Sequence, residues 1–232
     1  MLDVKDMVLR HKDFEVSANL EAIEPGIYAL IGPSGSGKSS FLMALAGFLQ
    51  PAQGHVVWQG KDITSAPPSQ RPISILFQDN NLFPHLTIKR NVAFAISQNA
   101  KLSKAEHAHI DQALTWVGLL EHAEKRPSEL SGGQQGRASL ARVLLQERPI
   151  LLLDEPFAAL GPALKKDMLN LVSGIAQEQN LTVIMVTHDI EDARSIAPLT
   201  LLIDQGAVRA PANTLDLLQN PPRSLQDYLG ID

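Results

Sequence analysis

The string GPSGSGKS at positions 32–39 fits the pattern G-x-x-x-x-G-K-[ST] of a phosphate-binding loop. Gly32, Gly35 and Gly37 open backbone conformations closed to other residues. The N–H groups of the loop, which also contains Pro33, Ser34 and Ser36, then turn inward around phosphate oxygens. The helix that follows, through Ser39 and Ser40, points its positive end at them. Lys38 reaches the β- and γ-phosphates, and the Ser39 hydroxyl ligates Mg²⁺. A second string, LLLDEP at 151–156, ends an apolar run in two carboxylates. Asp154 falls where a strand end brings it near the Mg²⁺ shell, and Glu155 is placed to polarise an attacking water as a general base. A third string, LSGGQ at 130–134, offers the Ser131 hydroxyl and the unobstructed N–H groups of Gly132 and Gly133, with Gln134, at the head of a helix. One chain thus carries two phosphate-binding devices, which need not serve the same nucleotide within one subunit. The bland alternatives are a Gly-rich turn, a solvated strand end and an N-capped loop. The strand-to-helix setting of the first string and the company of the other two weigh against them.

The elements that position these groups follow from hydrophobic periodicity. IYALIG at 27–32 reads as a buried strand ending in a Gly-rich turn, and SSFLMALAGFL at 39–49 as a helix, together half of a βαβ unit. PILLLD at 149–154 and LTVIMVTH at 181–188 are continuous apolar runs, as in strands buried on both faces of a parallel sheet. LTLLIDQG at 199–206 reads as a final strand ending at a turn. The stretch 87–148 is mainly helical, with Ser103 as an N-cap and Glu106 three residues on as its capping-box partner. The expectation is an α/β fold in one domain, with a core of residues 1–86 and 149–232 and a helical insertion over about 87–148.

The 232 residues suffice for a substantial core. A net charge of −5 without a basic stripe argues against nucleic acid as a partner. The absence of cysteine excludes disulfides and thiolate metal sites. MLDVKDMVLRHKDFEV at the start has no apolar signal-peptide core, and no apolar run approaches the roughly 20 residues that span a bilayer. Work at a membrane therefore requires a membrane partner.

The order of phosphate loop, Gln78, LSGGQ, LLLDEP and His188 resembles the ATP-binding cassette family over nearly the whole chain. The resemblance implies a P-loop NTPase core with a mostly parallel sheet, N-terminal antiparallel β elements and an inserted helical subdomain. It implies two cassettes head to tail, each ATP lying between the loop of one and the LSGGQ of the other. It also implies that Gln78 ligates Mg²⁺ and relays movement to a membrane partner, and that His188 contacts the γ-phosphate. PPSQRPISILFQDNNLFPHLTIKRNV at 67–92 looks like importer ATPases that work with a polytopic permease and a solute-binding protein. FQDNNLFPHLT, LLLDEPFAAL and the short length are most similar to the ATPases of bacterial thiamine importers. The implied place is the cytoplasmic face of the bacterial inner membrane. An importer of another small solute, or a soluble cassette ATPase of cofactor assembly, are the alternatives.

Two positions depart from the family pattern. Where S-A-L-D is usual the chain reads A-A-L-G, so Gly161 replaces an aspartate that, the resemblance implies, organises contacts across the dimer; weaker coupling or slower hydrolysis is expected, the alternative being that backbone contacts carry most of the role and glycine is tolerated. Near the N-terminus, where an aromatic ring commonly stacks on adenine, the chain offers His11 and Phe14. Leu82, Phe83 and Leu86 are apolar candidates for docking the permease, or for packing inside. His107 and His109, at i and i+2, fall on different sides of a helix, which argues against a metal site. The tail TLDLLQNPPRSLQDYLG reads as a short surface helix and a Pro-broken turn.

Overall fold

The fold was obtained as a computed structural model, described here for residues 1–11, 14–78, 81–97 and 101–229, apart from the side chains of His11, Phe14, Tyr228 and Leu229. The expected adenine contact from His11 or Phe14 lies outside that description. Strands run as β1 Leu2–His11, β2 Phe14–Ile23, β3 Gly26–Ile31, β4 Gln53–Trp58, β5 Lys61–Asp62, β6 Ile73–Leu76, β7 Ile150–Asp154, β8 Thr182–Val186, β9 Leu199–Asp204, β10 Ala207–Val208 and β11 Ala212–Asn213. Helices are α1 Lys38–Ala46, α2 Ile88–Ala93, α3 Lys104–Trp116, α4 Gly132–Leu144, α5 Pro162–Glu178, α6 Ile190–Ile196, α7 Thr214–Gln219 and α8 Arg223–Leu229.

The sheet runs β5-β4-β1-β2-β10-β9-β3-β8-β7-β6. β9, β3, β8, β7 and β6 are mutually parallel. β2, β1, β4 and β5 are antiparallel, and two-residue β10 joins the two parts, parallel to β2 and antiparallel to β9. The apolar runs sort themselves by the two-residue period of a strand. Leu151 and Leu153 of β7, and Val183 and Met185 of β8, enter one core shared with α3, α4 and α5. Ile150, Leu152, Ile184 and Val186 enter a second, which holds Phe41, Leu42 and Leu45 of α1 between the parallel strands and β1, β2 and β4. The parallel strands are therefore covered on both faces, as their composition requires.

The helices obey local signals. Ser103 caps α3 and Ser131 caps α4, each through a reciprocal capping box, with Glu106 and Gln134. α1 is shorter than the periodicity at 39–49 suggests. Gly47, at φ 87°, turns the chain, and the Gly47 and Phe48 amides donate back to Ala44 O and Met43 O, a Schellman ending. β9 is not the last strand, since β10 and β11 follow and pair with it. The tail forms two helices, α7 and α8, separated around Pro221 and Pro222, and Leu225 is fully buried, so the tail seals part of the core and is more than a surface turn.

Arg71, just before β6, is 1% exposed. Its guanidinium donates to Ala44 O at 2.8 Å and Leu45 O at 2.7 Å, the last carbonyls of α1, and to Ala66 O at 2.9 Å and to Thr64 O. A cation thus closes the negative end of the helix whose other end carries the phosphate loop. Burial lowers the guanidinium pKa, with the Asp62 carboxylate opposing it.

Candidate active site

The carboxyl ends of four parallel strands deliver the sequence candidates to one edge of the sheet. Leu30 of β3 pairs with Val186 of β8, Asp154 of β7 pairs with Val186, and Leu76 of β6 pairs with Leu153. The phosphate loop after β3, Asp154 and Glu155 at the end of β7, His188 after β8 and the exposed Gln78 after β6 consequently leave the sheet together. That is where doubly wound sheets hold ligands. Ser34, Gly35, Gly37, Lys38, Ser39, Ser40, Glu155 and His188 line a cleft of about 470 Å³.

The loop has the geometry its glycines imply. Gly32 has φ 154° and would place a Cβ 2.7 Å from Ile203 O, so no side chain fits beneath the loop. Gly37, at φ 96°, is the N-cap of α1. Lys38 is buried, and its ammonium donates to Gly32 O at 2.8 Å and Pro33 O at 2.9 Å, leaving its third proton for a ligand. The Ser36 Oγ is buried without a hydrogen-bond partner among the described residues, a free donor inside an anion-shaped loop.

Ser39 Oγ donates to Asp154 Oδ1 at 3.1 Å. Burial is the largest influence on both flanking charges. It pushes the Asp154 carboxyl above the usual range, against the Ser39 hydrogen bond, and it lowers the Lys38 ammonium, against the attraction of Glu155 and Asp154. The hydroxyl, carboxylate and amide oxygens of Ser39, Asp154 and Gln78 are the hard donors that suit Mg²⁺.

Glu155 has φ 47°, a left-handed conformation unusual for a glutamate and further disfavoured before Pro156. Its carboxylate Oε1 lies 2.5 Å from His188 Nε2, with the glutamate side chain 20% and the imidazole 39% exposed. The chain turns sharply off β7 at this residue, at a cost of order 1–3 kcal/mol.

Ser131, Gly132, Gly133 and Gln134 do not line this cleft. Ser131 and Gly132 are exposed at the head of α4. Gly133 is buried, and a Cβ there would lie 2.1 Å from the Leu164 side chain of α5, so the head of α4 packs directly on α5.

Gly161 is the N-cap of α5, with φ −66° and no side-chain cap, and an added Cβ would meet nothing within 4 Å. An aspartate fits there without strain. Gly161→Asp is expected to stabilise the fold by about 0.5 kcal/mol through capping and the helix dipole, read as a raised unfolding midpoint. A parallel rise in ATP turnover is the outcome expected if the aspartate also organises the site, and an unchanged turnover would defeat the coupling idea.

Leu82 packs partly against the core, whereas Phe83 is 40% exposed beside a groove that includes Phe48, 53% exposed, and Phe77. Inward packing and surface exposure thus divide between these neighbours. His107 and His109 are both exposed on α3, and no cluster of metal-binding side chains occurs among the described residues. Sequence reasoning missed Arg71 and a charge cluster of Lys165, Asp189 and Asp192 beside His188. The string HDIED held a local signal for the two aspartates, but nothing local pointed to Lys165.

Residues 16–158 match the ABC transporter family. The chain is 53% identical over 230 residues to the thiamine import ATP-binding protein ThiQ of Cereibacter sphaeroides, covering 99% of this chain and 100% of that relative. It is 46% identical to the protein of the same name from Photobacterium profundum, over 95% of this chain and 92% of the relative. Among solved structures it is similar to CbiO1 from Clostridium perfringens, part of the ABC transporter complex CbiONQ, with a TM-score of 0.82 at 27% identity, over 94% of this chain and 90% of that one. It is also similar to the dimeric ATP-binding cassette MJ0796 bound to ADP and Pi, with a TM-score of 0.77 at 28% identity, over 92% of this chain and 99% of that one. Relatives matched end to end, a family match over more than half of the sequence and the phosphate loop facing a glutamate–histidine pair lead to one conclusion: the chain belongs to the ABC transporter family, as an ATP-hydrolysing, ATP-binding subunit.

Proposed function

We propose that this subunit energises a bacterial thiamine importer from the cytoplasmic face of the inner membrane. The observation that carries the catalytic reading is the Glu155–His188 contact of 2.5 Å at the mouth of the phosphate cleft. Glu155 accepts the proton of the water that attacks the γ-phosphate, and His188 holds that water and the phosphate in line. Lys38 and the loop amides bind the β- and γ-phosphates. Ser39, Asp154 and Gln78 would hold Mg²⁺, which would supply positive charge at the phosphate oxygens. The thiamine assignment is supported by relatives of that name at 44–53% identity over 99% of the chain.

Ser131, Gly132, Gly133 and Gln134 stand apart from the cleft, with Ser131 and Gly132 exposed at a helix start, which favours a site completed by a second copy arranged head to tail. Nucleotide then draws the two copies together because it binds the closed pair more tightly. No helix of the described residues is long and apolar enough to cross a membrane, so attachment falls to a permease. The groove with Phe48, Phe77 and Phe83 is the surface we assign to it. A periplasmic or lipid-anchored solute-binding protein completes the machine without touching this chain.

The dimer reading is tested on isolated heterodimers, each chain carrying its own purification tag. A Lys38→Ala chain paired with a Ser131→Arg chain leaves one intact site in a head-to-tail pair, and about half the activity of the native pair is expected. A chain carrying both changes, paired with the native chain, leaves none. The opposite ranking would place both devices within one subunit. For the solute, co-purification of a polytopic membrane protein in near-equal amount is expected. Thiamine with its binding protein is expected to raise ATP turnover of that complex in vesicles, and stimulation by another solute alone would overturn the thiamine assignment.

A further inference from the structure

Lys165 lies in the first turn of α5, and its backbone N–H donates at 2.9 Å to the carbonyl of Gly161, the last residue of the segment 158–161. Its ammonium lies 2.8 Å from Asp189 Oδ2 and 3.3 Å from Asp192 Oδ1. Both carboxylates belong to the segment around His188. Asp192 Oδ2 accepts from Thr187 Oγ1 at 2.9 Å, and Thr187 Oγ1 accepts from the Asp189 N–H at 3.1 Å. Asp189 Oδ1 accepts from the Glu191 N–H at 3.0 Å and caps α6. The residues on both sides of His188 are therefore tied, directly or through Asp192, to one ammonium. The Lys165 and Asp192 side chains are only 17% and 14% exposed, and the whole cluster shares a cavity of about 590 Å³ with Glu155 and His188. Asp189 is 47% exposed, so it is the Lys165–Asp192 contact that is least screened by water and holds geometry better than a surface pair does.

We propose that Lys165 is a positioning residue for the His188–Glu155 pair, acting through Asp189 and Asp192 and linking that pair to the segment 158–161. The proposal rests on the reading that His188 and Glu155 act at the γ-phosphate. Lys165 does not line the phosphate cleft, so it contributes alignment in the hydrolytic step and little to ATP binding.

The test uses the purified full chain with Lys165→Met, Lys165→Arg, Asp189→Asn and His188→Ala. Lys165→Met is expected to lower kcat about tenfold with KM for ATP changed less than about twofold, and to move the NMR signal of the His188 ring. Lys165→Arg keeps the ion pairs and is expected to restore both. Asp189→Asn keeps the helix cap while losing the charge and is expected to reproduce Lys165→Met, which also covers the case in which Lys165→Met fails to fold. A kcat loss with an unmoved His188 signal, or with a matching rise in KM, would reduce the cluster to a packing contact between α5 and α6. Unchanged kcat in both Lys165→Met and Asp189→Asn overturns the proposal while leaving the catalytic reading intact. Normal turnover in His188→Ala would instead remove His188 from the mechanism, whatever the Lys165 variants do.

Discussion

Glu155→Gln is expected to lower ATP turnover by about 100- to 10,000-fold, the range set by loss of a general base, while ATP still binds. The amide is nearly isosteric, so the left-handed backbone at φ 47° and the contact with His188 remain available. What is lost is the ability to take a proton from water. Lys38, Ser39 and Asp154 are untouched, so the phosphate cleft keeps its affinity. With hydrolysis stopped, the ATP-bound pair accumulates, and light scattering is expected to show twice the chain mass with ATP and one chain mass with ADP. Glu155→Gly separates the chemistry from the backbone. It is expected to be as inactive as the glutamine variant yet about 0.5–1 kcal/mol more stable, because glycine occupies a left-handed position without steric cost. Normal turnover by the glutamine variant would remove Glu155 from its role. A glycine variant less stable than the native chain would show that the strain released is smaller than the lost His188 contact and the added chain entropy together.

The parts of this site that could be read from the sequence are those whose causes are local. The phosphate loop needs glycines, a lysine and a hydroxyl within eight consecutive residues, and the two capping boxes need partners three residues apart. The runs at 150–154 and 182–186 announce buried strands because nearly every residue is apolar, and strand alternation then assigns their side chains to the two cores. What escaped reading has causes distant in the chain. Lys165 and Asp189 are 24 residues apart, and Arg71 and Ala44 are 27 apart. β10, which joins the two halves of the sheet, is two residues long and too short to show any period. The stop at Gly47 was present as a glycine, but the apolar Phe48 and Leu49 carried the helical pattern past it. The positive φ of Glu155 has no sequence signature beyond the proline that follows, which by itself predicts extended backbone.

Arg71→Met is expected to cost about 3–5 kcal/mol of folding stability, a large share of the roughly 5–15 kcal/mol a domain has. Four backbone carbonyls converge on the guanidinium. Ala44 O also accepts the Gly47 amide, but methionine leaves the carbonyls of Leu45, Ala66 and Thr64 without that donor, at about 1–3 kcal/mol each when buried. Relief from burying an unpaired cation offsets part of this, which is why the expected loss is below the sum. Lysine at the same position retains the charge that favours the end of α1, worth about 0.5–1 kcal/mol, but not the fork that reaches several carbonyls. Arg71→Lys is therefore expected to recover only a minor part, by denaturant unfolding. Gly47 offers an independent check. A Cβ there would lie 2.5 Å from Arg71 Nε, on a backbone already at φ 87°. Gly47→Ala in the native chain carries the clash with Arg71, a close approach of 3.1 Å to Ala66 O and the backbone strain, whereas in the Arg71→Met background the clash with the guanidinium is gone. The two changes together are thus expected to cost measurably less than their sum. Strict additivity would mean that Arg71 and Gly47 do not share one packed site. A near-neutral Arg71→Met would mean that the carbonyls at the end of α1 find other donors, and the phosphate loop would then owe nothing to the buried cation behind it.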